Sequence, residues 1–528
     1  MTDIREYDYI IIGSGFGGSV SALRLAEKGY HVAVLEKGKR YDPQDFPHTN
    51  WNIRKSLWRP EVGLYGLWNL TLLKHALILH GSGVGGGSLL YANQLLMPPD
   101  EVFERPEWGP GNWKDTLAPF YDQARRMLGA NPSPSVGKAD EILRQVGVEM
   151  RGEDTFHIND VGVFFGQPGK TVADPYFDGE GPARTGCTFC GACIIGCREG
   201  GKNTLDKNYL YLAEHKFGVE ILPETEVIGI RPKGTGYEVI TKQTTGITHP
   251  RKRYLAGGVV FSGGVMGSVK LLMQCRSRGM LPHISGQLGN YVRTNSEALL
   301  GVKARDKNAD YSDHIAITSG IYPDKDTHIE ITRFNKGSDL MGLVTALLTD
   351  GSDDKPRALH FLKNVAAHPA TFIKSLWPIG FGARTPILLV MQTVDNYFRL
   401  EYKSRWWRMG NKSINTTIPP EWEGKQVPTY IPIANEVARR MGEKMDGQPL
   451  GTWSEALFDI PTTAHILGGA VMGATPQNGV VDFKGQIHGY PNLYVVDGSN
   501  VPVNLGVNPS LTITALAEYV MSQFPRKT

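Results

Sequence analysis

The chain has 528 residues, 41% of them hydrophobic, more than one core accommodates, so two or more domains with large interiors are expected. Its 56 Lys and Arg against 53 Asp and Glu are too evenly balanced for a polyanionic partner, which excludes nucleic acid as the ligand. No stretch reaches the roughly 18 uninterrupted apolar residues of a spanning helix, and the first strand begins too early for a signal sequence, so a cytoplasmic protein with at most peripheral membrane contact is expected.

The opening reads as a strand from Tyr7 to Ile12, a glycine turn, a helix from Gly17 to Lys28 and a strand from His31 to Glu36. This βαβ unit predicts a doubly wound parallel sheet. Gly13, Gly15 and Gly18 form G-x-G-x-x-G between strand and helix. The first glycine permits the tight turn, the second lets a pyrophosphate approach the backbone, and the third lets helix and strand pack closely. The phosphates then rest on the helix N-terminus, where unpaired amides and the helix dipole favour negative charge. Glu36 follows Gly13 by 23 residues. A carboxylate there accepts hydrogen bonds from a ribose diol and repels a 2′-phosphate, which favours FAD or NAD over NADP. A second tract, Gly81-Ser-Gly-Val-Gly-Gly-Gly-Ser88, supplies bare backbone that a single nicotinamide site does not need. An extended flavin cofactor, FAD, accounts for both tracts.

Further along, Cys187, Cys190, Cys193 and Cys197 give C-x2-C-x2-C-x3-C, and only Cys275 stands apart. Such clustering points to metal or redox chemistry in a reducing compartment rather than to a disulfide framework. The spacing is that of an iron-sulfur ligand run, with Arg198 in place of the usual proline. Zinc and reduced structural thiols are the alternatives, although zinc usually takes pairs of ligands set further apart. No second cysteine set exists, so an iron-sulfur occupant requires a three-iron or locally four-ligated centre. A helix is expected from Lys202 to Leu212, followed between Pro223 and Gly263 by short β-like segments of the nucleotide-binding layer. Residues 290–460 carry longer alternating runs, His328 to Thr332 and Pro386 to Tyr402, which read as an antiparallel sheet bearing a substrate site. The apolar segment Phe361 to Phe381 reads either as a lid toward a lipid surface or as a core or interface helix. Trp58, Trp68, Trp406 and Trp407 either wall an apolar pocket or belong to the core. A strand from Asn492 to Asp497 and a helix from Leu511 to Phe524 close the chain. The expected organisation is a discontinuous FAD-binding domain (1–45, 75–100, 180–290 and 461–528) and a substrate-binding domain (101–179 and 291–460).

The segments DYIIIGSGFGGSVSALRLAEKGYHVAVLEKG, HGSGVGGGSLLYANQLL, GGVMGSVKLL, HILGG and NLYVVDGSNVPVNLGVNPSLTITALAE span nearly the whole chain. In this order they resemble the glucose-methanol-choline (GMC) oxidoreductases, most of all the cholesterol oxidase branch. The resemblance implies an α/β fold, with a Rossmann-type FAD-binding domain and a second α+β substrate domain built on an antiparallel sheet. It also implies non-covalent FAD and oxidation of a secondary alcohol on a lipophilic, steroidal substrate. The electron acceptor is then oxygen or, through an iron-sulfur centre, a protein or quinone. By motif position, His465 and Asn508 face the reactive side of the flavin, and Gly87, Tyr91, Asn93, Val227, Asp497, Gly498 and Ser510 join the cofactor set. A histidine near its ordinary pKa suits acceptance of the hydroxyl proton, and an amide that bonds the substrate oxygen fixes which carbon is presented. Without the resemblance, His465 reads at least as well as a packed loop histidine. A third acid of the cholesterol oxidases, the base for double-bond migration, is matched a few positions beyond the IEI strand to Asp339, whose other reading is a loop-capping acid. Two departures stand at the flavin edge: His465-Ile-Leu replaces His-Pro-Leu, and Tyr91-Ala-Asn93 replaces Asn-Gly-Gly. A family member acting on another alcohol is the rival reading, and a flavoprotein reduced to electron transfer or binding is the second, against which the presence of both His465 and Asn508 argues.

Overall fold

The computed structural model describes residues 5–352, 355–404 and 412–528. Trp406 and Trp407 lie outside the described residues. β-Branched and aliphatic runs build the first sheet. Strands Glu220–Leu222, Val32–Leu35, Glu6–Ile12 and Arg251–Phe261 lie side by side and parallel, and Leu493–Val495 joins Arg251–Phe261 in parallel register. Two antiparallel strands, Gly236–Gln243 and Thr225–Lys233, extend the same sheet. Burial on both faces explains the unbroken apolar character of Ile10 to Ile12 and Val32 to Leu35.

Helices Phe16–Glu27, Tyr209–Phe217 and Ser510–Ser522 pack together and share a buried polar anchor. The Arg24 guanidinium donates to Glu518 Oε2 at 2.7 Å, and the Tyr209 hydroxyl donates to Glu518 Oε1 at 2.7 Å. The chain therefore leaves this domain and its C-terminus returns to it. The helix expected from Lys202 is displaced: a short 3-10 turn, Leu205–Lys207, precedes Tyr209–Phe217. Asn208 starts the helix there, its side chain accepting from the Tyr209 amide at 2.6 Å.

The second sheet is antiparallel throughout, in the order Thr345–Leu347, Gly447–Thr452, Ala298–Ala304, Ile387–Gln392, Thr327–Thr332, Ile317–Ile321, His157–Ile158. The expected Pro386 to Tyr402 run is two strands, Ile387–Gln392 here and Arg399–Ser404 in a separate hairpin. Alternation decides what each face does. Ile329, Ile331, Leu388 and Val390 pack against helices Lys138–Arg151 and Pro432–Lys444, while His328 and Glu330 point the other way. Both faces are covered, since every residue of Thr327–Thr332 is buried.

Helices Arg357–Ala367 and Pro369–Ser375 set Phe361 and Phe372 edge-on to Trp453, yet expose Leu362, Ile373 and Trp377 on the other side. Trp58 and Trp68 are buried core residues. No helix among the described residues is long and apolar enough to cross a membrane.

Candidate active site

The two glycine tracts meet at the C-terminal ends of the parallel strands. A Cβ on Gly13 would stand 2.4 Å from the Ser262 carbonyl, and one on Gly18 would stand 2.1 Å from the Gly13 carbonyl. Both must therefore be glycine. Gly86 lies over Gly15 so closely that its Cβ would approach Gly15 Cα to 2.6 Å, whereas a Cβ on Gly15 would meet nothing. The glycine expected to admit a pyrophosphate is the one with open space beside it. Gly87 borders Phe16 at the start of the helix.

Glu36 ties the two loops together. Its Oε2 accepts from the Ser14 amide (3.1 Å) and hydroxyl (2.8 Å), and its Oε1 accepts from the amides of Gly38 (2.8 Å) and Gly83 (3.3 Å). Val227 is the third residue of strand Thr225–Lys233, whose start is held by the Thr225 amide on the Glu36 carbonyl at 2.8 Å. Asp497 does for the C-terminal segment what Glu36 does here. It accepts from the Gly264 amide, Ser268 hydroxyl and Ser499 amide, and burial raises its pKa although these hydrogen bonds oppose the shift. Gly498 packs on Ile513 and Leu467, and its carbonyl accepts from the Gly468 amide of the HILGG segment at 2.9 Å. Tyr91 donates to the Asn203 carbonyl at 3.0 Å, and Ser510 donates to the Gln94 carbonyl at 2.6 Å.

These residues fit an FAD. Asn93 has a φ of 71°, is fully buried, and neither polar atom of its side chain has a partner. A buried amide in that state is costly unless a ligand completes it. It lies just beyond the second glycine tract.

His465 and Asn508 approach from the C-terminal segments. Strand Thr462–Thr463 pairs with Leu77–Gly81, the strand that runs into the second glycine tract, and this places His465 beside it. Glu297 anchors that turn, its Oε2 accepting from Thr463 Oγ1 at 2.7 Å and from the Ala464 amide at 2.9 Å. The same oxygen lies 3.3 Å from His465 Nδ1, which makes no aligned hydrogen bond. Burial alone would lower the pKa of His465, but the carboxylates of Glu297 and Glu330 outweigh it and hold the imidazole above its ordinary value. Asn295, itself at a φ of 62°, accepts from the Leu505 and Gly506 amides and donates to the Val507 carbonyl, fixing the loop that carries Asn508.

Asn508 Nδ2 donates to Glu330 Oε2 at 3.1 Å, and its Oδ1 has no partner. The other Glu330 oxygen accepts from Asn159 Nδ2 at 2.6 Å, and Asn159 in turn bonds Gln94 Oε1 at 2.6 Å. Glu330 is fully buried, and burial pushes its pKa up to about 8 against the pull of Asn508, His465 and Asn159. One carboxyl thus touches Asn508 and feels His465, so the imidazole and the carboxamide belong to one site.

Asp339 is a correction. It sits at the start of a 3-10 turn and its two oxygens accept from the Gly380 and Gly382 amides at 2.9 and 2.8 Å, which makes it the loop-capping acid. The acid that meets Asn508 is Glu330, inside the IEI strand rather than beyond it. Glu297, Asn159 and Gln94 were also missed. An acid in mid-strand between two isoleucines was the available signal for Glu330.

All five cysteines are free thiols. The four clustered ones line a single small cavity, and among the described residues no three His, Cys, Asp or Glu converge closely enough to hold one metal ion.

A GMC oxidoreductase family model matches residues 179–288, a second matches 431–517, and an NAD(P)-binding Rossmann-like model matches 11–41. The chain is 43% identical to a cholesterol oxidase of Acinetobacter baumannii, covering 99% of this chain and 95% of that protein. It is 46% identical to a cholesterol oxidase of Mycobacterium tuberculosis (strain ATCC 25618 / H37Rv), covering 99% and 92%. Among solved structures, pyridoxine 4-oxidase from Mesorbium loti superposes with a TM-score of 0.63 at 16% identity, over 98% of this chain and 99% of that one, a likeness of fold alone.

Proposed function

The chain belongs to the GMC oxidoreductase family and is an FAD-dependent oxidoreductase acting on CH–OH donors, and from that premise we propose that it oxidises the 3β-hydroxyl of a sterol and then moves the ring double bond. The observation that carries this reading is Glu330. Oxidation of an alcohol needs one group for the hydroxyl proton, and this site holds a second, buried proton carrier hydrogen-bonded to Asn508. A base with a raised pKa is suited to a carbon acid, and the 5-ene-3-ketone formed by oxidising a 5-ene-3β-sterol is one, whereas the ketone of a saturated alcohol has no double bond to move. The two cholesterol oxidases, alike over nearly the full chain, support the same substrate class.

The glycine loops, Glu36, Asn93 and the Asp497 segment would hold FAD, which when bound supplies the acceptor for the hydride leaving the carbinol carbon. Nδ1 of His465 faces Glu297, which leaves Nε2 for the substrate hydroxyl. That nitrogen takes the hydroxyl proton, and the two nearby carboxylates stabilise the imidazolium that results. The unpartnered Asn508 amide is placed to orient the substrate oxygen. Glu330 removes a proton from C4 of the ketone and returns it to C6, giving the conjugated 4-ene-3-ketone with no net change in atoms. Oxygen is the acceptor in this reading, leaving as hydrogen peroxide. Leu362, Ile373 and Trp377 form the face that would rest on a lipid surface while the sterol enters.

Mixing the oxidised holoenzyme with cholesterol without oxygen tests the assignment. The flavin absorbance is expected to bleach, and an unchanged spectrum with cholesterol and other 3β-hydroxysteroids overturns it.

A further inference from the structure

We propose that Cys187, Cys190, Cys193 and Cys197 hold one iron-sulfur cluster in the cavity they line. Several observations converge on this site. All four thiols are free and line one small cavity that reaches the surface at the exposed Cys190. In two-cluster ferredoxins the fourth cysteine of such a run serves a different centre. Here Cys197 lines the same cavity as the other three, so a single centre has four ligands.

The loop is also folded for sulfur ligation. Phe189 adopts a φ of 57°, Gly191 a φ of 70° and Gly196 a φ of 101°, so the backbone curls around the cavity at three points. Left-handed backbone at a bulky aromatic residue is a strain that surrounding structure must impose. Its outcome is an amide aimed at sulfur: the Phe189 N–H donates to Cys187 Sγ at 3.4 Å. Amide donors to the sulfurs are among the devices that tune such clusters.

A buried side chain joins the cysteine run to its surroundings. Lys202 is 2% exposed, and its Nζ donates to the Cys193 carbonyl at 2.8 Å and the Leu89 carbonyl at 3.0 Å. Zinc fits less well, because it draws four ligands onto one ion and no three such groups converge closely enough among the described residues. A cluster accepts ligands spread around its own volume.

The site is not remote from the flavin-binding loop. Leu89 belongs to the Gly86–Leu89 turn of the second glycine tract, so Lys202 spans directly from that loop to the cysteine run. The inference is independent of the sterol reading, because its test does not use substrate.

The holoenzyme purified without oxygen, and reconstituted with ferrous iron and sulfide, is assayed for iron, acid-labile sulfide and zinc, and its paramagnetic resonance spectrum is recorded after dithionite reduction. The expected result is iron and sulfide together at about four per chain, with a cluster signal that Cys190→Ser and Cys197→Ser abolish and Cys275→Ser leaves intact. Iron and sulfide at background, stoichiometric zinc in their place, or a signal unchanged in both Cys190→Ser and Cys197→Ser would overturn the proposal. If the serine variants fail to fold, the metal and sulfide content of the unsubstituted protein decides alone.

Discussion

The parallel sheet and the antiparallel sheet each supply half of the site, by opposite means. The parallel sheet offers backbone. Gly13, Gly18 and Gly86 stand so close to neighbouring backbone that one added carbon would overlap it. The antiparallel sheet offers side chains, with Glu330 and Glu297 carried inward on or beside strands and completed by amides from elsewhere in the chain. In the proposed mechanism the first half recognises the cofactor by leaving space, and the second handles protons through buried side chains. Damage to the two halves should therefore differ in kind, with steric loss of cofactor on one side and loss of chemistry with intact cofactor on the other.

The largest effect expected is on the side-chain half. His465→Gln should lower kcat by about 10²- to 10⁴-fold, the usual contribution of a general base, while FAD content and Tm stay close to those of the parent. Loss of FAD in that variant would break the contrast. Next comes the backbone half. Gly18→Ala should cost about 1–3 kcal/mol through overpacking and release FAD, seen as a lower flavin-to-protein ratio and a lower Tm. The smallest effect is a shift of pH dependence. In the proposed mechanism His465 is the base, so kcat/KM should fall as the pH drops through its raised pKa, placing the acid limb above the ordinary histidine value. In Glu297→Gln burial is opposed only by Glu330, so the acid limb should move to lower pH and leave the variant relatively more active in acid. A limb that stays in place would show that Glu297 only holds the Thr463 turn.

The same contrast explains what could be read before the structure was known. The backbone half is legible because its parts are local: Gly13, Gly15, Gly18 and Glu36 fall within one βαβ unit, and steric need restricts Gly13 and Gly18 to glycine. The side-chain half unites positions separated by hundreds of residues. His465 and Asn508 were legible through the motifs around them. Glu330 was not, because the strand pattern does not reveal that both faces are buried, and the search for a third acid moved outward to the loop at Asp339. Glu297, Asn159 and Gln94 carry no local signal at all, since their roles arise only where three segments meet. The helix displaced from Lys202 shows the same limit: the Asn208 cap that starts it at Tyr209 lies in mid-pattern. For the cysteines the spacing was visible, while the shared cavity and the buried Lys202 beside it were not.

The most direct test of the account is the product that accumulates from cholesterol with the parent enzyme and with Glu330→Gln. The parent should release the 4-ene-3-ketone, with the isomerisation step rising with pH through about 8 as Glu330 ionises. Glu330→Gln should still reduce its flavin but stop at the 5-ene-3-ketone. Unimpaired conversion to the 4-ene-3-ketone by Glu330→Gln would contradict the account.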